Sequence, residues 1–485
     1  RISRALRRKE NTLYNALRSI YEDSIFVGEI SQLWPELPLV ANLRCGLWYS
    51  PKFDATCYYK STDGHANNLS FSISRLNLHV AILAGNRGGC IIVDSTRKGK
   101  RFPDSMSKTI PIWTCVINRA IFRYRKSLRA SHISENMSSS EFVGTGQDLS
   151  DWDCTLHLPL WVSDTEKAKI EKLMEQWIAE FESCGADICS VSSSLKKPLR
   201  PLWISQRTVI WLNEVPEYDS WDFTPIILVS SSHSSDTFYP KTTSEFSWNY
   251  IAGAGDDEEG WARGLTPRLF WEHANEIIAS GPELCNRHIA NIIEKSRVWH
   301  SLSDSSSCSL GASFCDNSEV MPSEDSARNN TITILGSTNI AIGKSELISE
   351  VPPTYCILNC YGKELSVSKL NTEAYLCLPF VDFKRDRFSV LRNLPHAFDF
   401  AKKKLQNGEA IFICCNDGED ISICVCLAIL TSLYDGAGEF DDGKWFDDMQ
   451  QISKAELRKR LVFICKYAVN ARPSRGNLKQ VFAYL

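Results

Sequence analysis

Residues 91–101, IIVDSTRKGKR, give the clearest indication of the fold. Three β-branched or apolar residues predict a buried strand, and Asp94 with two hydroxyl residues follows it directly. A basic loop that contains glycine completes the stretch. Because ligands of α/β sheets bind at the carboxyl ends of strands, this pattern predicts a ligand-binding loop at the edge of a sheet.

A second segment, residues 57–65 (CYYKSTDGH), repeats this arrangement. A strand ends in a lysine and two hydroxyl residues, which are groups that bind phosphate oxygens. Glycine then permits a tight turn, and Asp63 or His65 could accept a proton. An ordinary polar turn is the alternative, but two such loops in one domain favour a site.

Composition excludes several classes of protein. The chain has 485 residues, of which 43% are hydrophobic and 23% are charged, as in ordinary globular proteins. The longest apolar run falls well short of the ~20 residues of a membrane-spanning helix, and the first residues predict no secretory signal. The 18 cysteines lack zinc-site spacing and disulfide context. We therefore expect a cytoplasmic protein with no membrane segment and reduced cysteines.

Positive charge is concentrated between residues 97 and 129, which hold ten Lys or Arg residues against one acid. Such a segment suits phosphate groups. Residues 110–129 are predicted to form a helix on which Arg119, Arg123 and Lys126 share one face. This face is either a set of nucleic-acid contacts or merely solvated.

The rest of the chain predicts an α/β protein of two domains. Residues 1–300 mix helices and strands as an α+β domain, with strands at 208–212 and 225–229. Residues 301–350 include a stretch rich in Ser, Asp and Asn, and we assign them to a polar linker. Residues 351–485 predict an α/β domain with a central, mostly parallel sheet.

Residues 411–422 resemble the phosphate loop of cysteine-dependent phosphatases, with a strand, C-x-x-G-x-x-I-S and a helix. Those enzymes place Arg where this chain has Ile421, and no apolar residue can replace its fork of donors. The loop around Cys415, Gly418 and Ser422 could still hold an anion through backbone N–H groups. The acidic residues Glu419 and Asp420 disfavour that role. The loop is therefore either a phosphate loop with a changed function or a remnant with a purely structural role.

The sequence is also similar to the fungal and plant initiator tRNA phosphoribosyltransferases. The motifs that carry the resemblance lie at residues 42–49, 59–65, 75–79, 93–101, 103–104, 107–113 and 473–475. The resemblance implies transfer of the 5-phosphoribosyl group of 5-phosphoribosyl diphosphate to a tRNA 2′-hydroxyl. The acceptor is adenosine 64 in the T-stem of initiator methionine tRNA, and the product is barred from elongation. It also implies a C-terminal domain like the dual-specificity phosphatases.

The resemblance and the chemistry together suggest roles for the residues of both loops. Departure of diphosphate requires cations and is expected to involve Mg²⁺. The candidates for binding the donor are Lys60, Ser61, Thr62, Arg75, Ser95, Thr96, Arg97, Lys100, Arg101 and Lys108. Asp63 is favoured as the base, oriented by His65, and Asp94 would hold ribose hydroxyls or the metal. Arg119, Arg123 and Lys126 are the candidate tRNA contacts.

Two other functions stay open from the sequence. The first is a non-catalytic tRNA-binding protein with an inactive phosphatase domain, which would bind tRNA without consuming the donor. The second is an RNA phosphatase that uses Cys415 as its nucleophile. The missing arginine counts against the phosphatase.

Overall fold

The computed structural model describes residues 13–66, 68–97, 100–135, 151–233, 240–242, 246–303, 332–362, 373–381, 385–448 and 452–485. They fall into two compact units. The first unit takes its described residues from the part of the chain before 302, and the second takes those that follow. Two short segments, Ile73–Leu76 and Cys184–Ala186, group with the second unit.

The first unit is built on a five-stranded sheet in which all neighbouring strands are parallel. Its strands are β1 Leu39–Asn42, β2 Ala55–Cys57, β3 Cys90–Asp94, β4 Leu199–Ser205 and β5 Thr224–Ser230, in the spatial order β2-β1-β3-β5-β4. Every residue of β3 and β5 is buried. Such runs are expected where a parallel sheet is covered on both faces.

Helices surround this sheet, and a separate antiparallel pair lies beside it. The helices are α1 Leu13–Leu33, α2 Leu78–Arg87, α3 Ile110–Glu135, α4 Asp164–Ser183, α5 Ile188–Ser194, α6 Glu258–Trp261, α7 Pro267–Glu272, α8 Ala274–Ala279 and α9 Gly281–Ser303. The antiparallel pair consists of β6 Pro240–Thr242 and β7 Ser247–Asn249. Leu17 and Ile20 of α1 share one core with Ile91 and Val93 of β3.

The order of the strands defines where a ligand should bind. β2 pairs with one side of β1, and β3, the next strand in the chain, pairs with the other side. This reversal opens a crevice at the carboxyl ends of β1 and β3, which is where open parallel sheets bind their ligands. Polar residues end the strands here, because Asn42 ends β1 and Asp94 ends β3 beside Ser230 of β5.

The second unit contains another five-stranded sheet, which is parallel except at one edge. Its strands are β8 Thr333–Ile334, β9 Ile340–Lys344, β10 Tyr355–Asn359, β11 Tyr375–Cys377 and β12 Ala410–Cys415, in the order β11-β10-β12-β9-β8. Only β8 runs antiparallel to its neighbour. The helices are α10 Ser389–Gln406, α11 Ile421–Leu433, α12 Lys444–Asp448, α13 Lys454–Tyr467 and α14 Arg475–Tyr484. The predicted α/β class is confirmed.

The most apolar helix of this unit, α11, has 13 residues and is buried almost throughout. It belongs to the core between the sheet and α13. None of the helices in the described ranges is both long and apolar enough to cross a bilayer.

Two predictions about secondary structure are wrong. Residues 332–350, assigned to the linker, contain β8 and β9, and β9 pairs with β12 inside the sheet. The strand predicted at 208–212 is an exposed connection, and the strand lies earlier, at β4. β4 contains Pro201, which is tolerated because β4 is an edge strand. The predicted linker residues 304–331 lie outside the described residues.

Gly46 provides a test of how closely the chain packs at the end of β3. A Cβ on this residue would lie 2.5 Å from the carbonyl oxygen of Val93 and 3.1 Å from Cα of Ala41. Both neighbours are backbone atoms that cannot rotate away. We predict that Gly46→Ala lowers the free energy of unfolding by about 1–3 kcal/mol, measured by denaturation.

The matched control is Gly28→Ala in the middle of α1, where a Cβ would meet nothing within 4 Å. Alanine is the better helix former, so this change should raise stability by about 0.5–1 kcal/mol. Equal stabilities for the two variants would contradict the close approach of Gly46 to β3.

Candidate functional site

A buried carboxylate at the end of β3 organises the candidate site. Asp94 is fully buried, and each of its oxygens accepts hydrogen bonds. The donors to Oδ2 are Asn42 Nδ2 at 2.8 Å, Arg44 Nε at 3.2 Å and Ser105 Oγ at 2.6 Å, and those to Oδ1 are Cys45 Sγ at 3.1 Å and Ser95 N at 2.8 Å. Asp94 therefore joins the ends of β1 and β3 to the segment around residue 105.

This environment does not fit the expected role of Asp94 as a Mg²⁺ ligand. Mg²⁺ requires oxygen lone pairs, and those of Asp94 are directed at N–H, O–H and S–H donors. Within the described ranges, no group of three or more His, Cys, Asp or Glu residues could hold a metal ion. Asp94 is better described as a residue that positions its neighbours.

The neighbour most clearly positioned is Arg44, which the sequence motifs contained but did not single out as a site residue. Its guanidinium bonds Asp94, the Ser95 carbonyl and Asp256 Oδ1, the last at 2.5 Å. Burial lowers the pKa of Arg44, but the negative charge of Asp94 and Asp256 outweighs it and raises that pKa. Arg44 thus presents a permanently charged, planar group at the crevice between β1 and β3.

Two predicted donor-binding cations lie on the loop after β3 and are paired with acids near the surface. Arg97 Nη2 is 2.8 Å from Asp257 Oδ1, and Lys100 Nζ is 2.9 Å from Asp104 Oδ2. The side chains of Arg97 and Lys100 are 62% and 57% exposed, so solvent screens both pairs. Exposed pairs of this kind contribute only ~0–1 kcal/mol, so a bound anion can displace the carboxylates.

Arg101 contacts hydroxyl groups instead. Its Nε donates to Ser205 Oγ at 2.7 Å, and its Nη2 donates to Thr208 Oγ1 at 3.0 Å. Ser205 ends β4, so Arg101 lies at the same carboxyl edge of the sheet as Asp94. Ser95 and Thr96 are buried in the intervening loop.

The loop at residues 60–65 packs against the segment Asp104–Thr109. Thr109 Oγ1 donates to the Lys60 carbonyl at 2.9 Å, and a Cβ on Gly64 would lie 2.7 Å from the Asp104 carbonyl. Ser105 of the same segment bonds Asp94. The segment Asp104–Thr109 therefore links the loop at 60–65 to Asp94 at the end of β3.

His65 is placed differently from the expectation that it orients Asp63. Its Nε2 lies 3.3 Å from Asp104 Oδ2, and half of its side chain is exposed. Asp104 is thus the carboxylate that holds His65. Nearby, Thr62 is exposed, while Ser61 Oγ is buried and has no hydrogen-bond partner among the described residues.

Two other predicted donor-binding residues have different surroundings. Lys108 is buried, and its Nζ lies 3.0 Å from Glu166 Oε1 and 3.9 Å from Asp104 Oδ1. It therefore contributes to the segment that supports the loop at 60–65. Arg75 belongs to the second unit, within Ile73–Leu76, so the structure does not group it with the Asp94 cluster.

The predicted tRNA-binding face of α3 packs against α4. Arg119 Nη2 lies 3.0 Å from Glu171, and Arg123 pairs with Glu175 as well as with Glu182 at 3.6 Å. Acids of α4 therefore pair with both arginines, but the Arg123–Glu175 pair is exposed, so the role of this face in tRNA binding stays a prediction. Lys126 is exposed.

A second buried carboxylate, Asp23 of α1, lies behind the loop after β3. Ser232 Oγ and Tyr250 Oη contact its two oxygens at 2.9 and 2.7 Å, and Gln206 donates at 2.9 Å. Ser232 Oγ also lies 2.5 Å from Ser95 Oγ, which connects Asp23 to the candidate site. Burial raises the pKa of Asp23 to about 7.

In the second unit, the loop that resembles a phosphate loop is filled by one of its own side chains. Asp417 Oδ1 accepts hydrogen bonds from the backbone N–H of Glu419 at 2.9 Å and of Asp420 at 3.4 Å. Cys415 Sγ contacts the same oxygen at 3.1 Å and Ser422 Oγ at 3.1 Å. A carboxylate thus takes donors that a phosphate would use.

The same loop also holds the C-terminal segment of the chain. Asp420 Oδ1 accepts from the N–H of Ser474 at 2.8 Å and from Asn477 Nδ2 at 3.1 Å. The N–H of Arg472 donates to the Glu419 carbonyl at 2.9 Å. Gly418 reaches this arrangement with a positive φ of 68°, which glycine adopts readily. The acids of the loop therefore have structural partners.

Together, the structure defines an α/β protein with a crevice beside a fixed arginine in one unit and a filled phosphate-type loop in the other. A family model described as the Rit1 N-terminal domain matches residues 6–294, and one described as the Rit1 DUSP-like domain matches residues 374–485. The chain belongs to this Rit1 family, which confirms the family resemblance predicted from the motifs.

Two relatives match nearly the whole chain. The tRNA A64-2′-O-ribosylphosphate transferase of Saccharomyces cerevisiae is 27% identical, over 100% of this chain and 94% of that protein. An uncharacterized protein of Schizosaccharomyces pombe is 30% identical, over 97% of this chain and 93% of that protein.

Solved structures match about a third of the chain. The human tyrosine phosphatase-like serine/threonine/tyrosine-interacting protein is 16% identical with a TM-score of 0.23, covering 32% of this chain and 94% of that chain. The Yvh1 phosphatase domain from Chaetomium thermophilum is 17% identical with a TM-score of 0.25. The match covers 32% of this chain and 95% of that chain.

The environment of Asp23 predicts how stability depends on pH. The folded chain binds the proton of this carboxyl more tightly than the unfolded chain does, because its pKa rises from 3.8 to about 7. Its contribution to stability is therefore complete below about pH 4 and is lost as the pH rises toward 7. We predict that Asp23→Asn reduces this dependence by up to about 1.4 kcal/mol per pH unit.

The measurement is the free energy of unfolding between pH 4 and 7 for both proteins. Asparagine can donate to Ser232 and accept from Tyr250, so the network should survive. Glu29→Gln, which removes an exposed carboxyl from the same helix, is the matched control. If the free energy of unfolding of Asp23→Asn depends on pH as steeply as that of the wild type, Asp23 is ionised in the folded protein.

The filled loop predicts that the second unit has no phosphatase activity. Burial and the neighbouring Asp417 raise the pKa of Cys415 to about 12, so the thiolate nucleophile is absent near neutral pH. We predict no hydrolysis of aryl phosphates, and slow alkylation of Cys415 at pH 7. Alkylation as fast as at the exposed Cys189 of the same chain would contradict this.

Proposed function

We propose that this chain transfers the 5-phosphoribosyl group of 5-phosphoribosyl diphosphate to the 2′-hydroxyl of adenosine 64 in initiator methionine tRNA. The reaction releases diphosphate and bars the modified tRNA from elongation, in the cytoplasm. The observation that carries the proposal is the Arg44 guanidinium at the crevice between β1 and β3, fixed by Asp94, the Ser95 carbonyl and Asp256. Similarity to the yeast transferase along the full chain supports the choice of reaction.

The diphosphate of the donor would bind among the cations at the carboxyl edge of the sheet. Arg44 and Arg97 both contact Asp256, and Lys100 contacts Asp104. These carboxylates occupy positions that negatively charged phosphates would take. Because the outer pairs are exposed and weak, the donor can exchange with them, and each cation then stabilises the departing diphosphate.

The transfer breaks the bond between C1 of the ribose and the diphosphate oxygen, and the diphosphate leaves with the electron pair. The 2′-oxygen of the tRNA forms the new bond to C1 while its proton passes to a base. Positive charge develops on the ribose ring as the bond to diphosphate lengthens. Mg²⁺ is expected to arrive with the donor as part of that substrate.

The structure favours His65 for the proton transfer over a role in orienting Asp63. His65 is half exposed, and Asp104 holds its Nε2. A carboxylate that bonds one nitrogen of an imidazole fixes the orientation and tautomer of the ring. Asp63, the base favoured from the sequence, lies two residues away and remains the alternative. Asp94 would act through Arg44 instead of touching the acceptor.

The test is to incubate the protein with initiator tRNA and 5-phosphoribosyl diphosphate carrying a labelled ribose, with Mg²⁺, and to measure label in the tRNA. We expect label at adenosine 64, and a tRNA whose adenosine 64 lacks the 2′-hydroxyl should remain unlabelled. Binding of tRNA without consumption of the donor would instead identify a non-catalytic tRNA-binding protein.

We predict that Asp94→Ala lowers kcat by at least ~10²-fold, because Arg44 loses the carboxylate that fixes it. His65→Asn and Asp63→Ala, assayed side by side, identify the base, and the true base should show a loss of similar size. Asp222→Ala, which removes an exposed carboxyl just before β5 at the opposite edge of the sheet, is the control. If correctly folded Asp94→Ala keeps a near-normal kcat, the crevice is not part of the active site.

A further inference from the structure

A half-exposed tryptophan is fixed in place beside the candidate site. Trp161, which precedes α4, is 50% exposed. Its ring stacks on Phe102 with centroids 4.8 Å apart and an interplanar angle of 11°, and its Nε1 donates to Ser107 Oγ at 3.3 Å. Trp203 of β4 contacts it edge-on at 6.3 Å. The indole is thus ordered by its neighbours while half of it stays open to solvent.

The position of this tryptophan relates it to the site. Ser107 belongs to the segment Ser105–Thr109, whose first residue bonds Asp94. Arg101 also lies near Phe102, with its guanidinium carbon 5.5 Å from the ring centroid. Leu160, next to Trp161, is fully exposed. We refer to Arg101, Phe102, Leu160 and Trp161 as the aromatic ledge.

Exposed apolar groups held in a single geometry are typical of contact surfaces, because binding then requires little further ordering. The ledge combines them with a cation, which favours a nucleic acid as the partner. It also lies next to the crevice that the acceptor hydroxyl would have to reach.

We propose that the aromatic ledge binds the tRNA strand next to the acceptor adenosine, an inference that rests on the proposed function. A-form RNA presents 2′-hydroxyls and sugar edges in a wide, shallow minor groove. The single N–H of Trp161 already donates to Ser107, so its exposed surface offers apolar contact to these sugars. Arg101 adds attraction to the phosphates. The ledge would therefore recognise the shape of the stem and not its sequence.

The experiment measures the Kd for initiator tRNA and the KM values for tRNA and donor. Trp161→Ala should raise the Kd and KM for tRNA about 10-fold, and Trp161→Phe should restore most of the loss. The KM for 5-phosphoribosyl diphosphate should stay within about twofold, since Trp161 is not one of the residues proposed to bind the donor. Tyr218→Ala is the control, because Tyr218 is a partly exposed aromatic beside Gly88, at the opposite edge of the same sheet.

A second variant tests the same proposal if Trp161→Ala fails to fold. Leu160 is fully exposed, so Leu160→Asp should leave the fold intact and repel the phosphates, whereas Leu160→Lys should not weaken binding. If the affinity for tRNA is unchanged in Trp161→Ala and Leu160→Asp while the wild type transfers normally, the proposed role of the ledge is wrong. The proposed function would not be affected. If both variants bind tRNA more weakly but the wild type shows no transfer, the ledge binds tRNA as proposed. The proposed function would then be wrong.

Discussion

The candidate site depends on the carboxylate of Asp94. A buried charge is tolerated only when it is paired and hydrogen-bonded, and Asp94 meets this condition with donors from three different segments. Each donor is thereby fixed as well, so one buried residue sets the positions of Arg44 and Ser105. Ser105 belongs to the segment that packs against the loop at 60–65, so Asp94 is linked to that loop indirectly.

The sequence predicted what local patterns can reveal. The continuous apolar run before Asp94 indicated a buried strand, and the polar residues after it indicated the edge where a ligand binds. The phosphatase-like loop was equally visible, since its strand, glycine and helix are adjacent in the chain. The edge strand β4 was missed because Pro201 and Pro198 interrupt its pattern, while the apolar residues at 208–212 form an exposed connection.

Pairings between distant residues were not predictable. Asp256 is more than 200 residues from Arg44, and Asp23 is equally far from Ser232 and Tyr250. The partners of the basic face of α3 were hidden for the same reason, since the acids that pair with its arginines lie on another helix, α4. A charge pattern shows where cations lie along a helix, but only the tertiary fold shows which of them are already neutralised.

The side chain that fills the phosphate-type loop changes what that loop responds to. A protein that binds an anion gains stability as the anion concentration rises, and the gain ends when the site is saturated. Asp417 is covalently part of the chain, so its carboxylate is present at the loop in every molecule and at any phosphate concentration. The second unit has therefore kept the geometry of a ligand-binding loop while losing the dependence on a ligand. Its stability should not rise when phosphate is added.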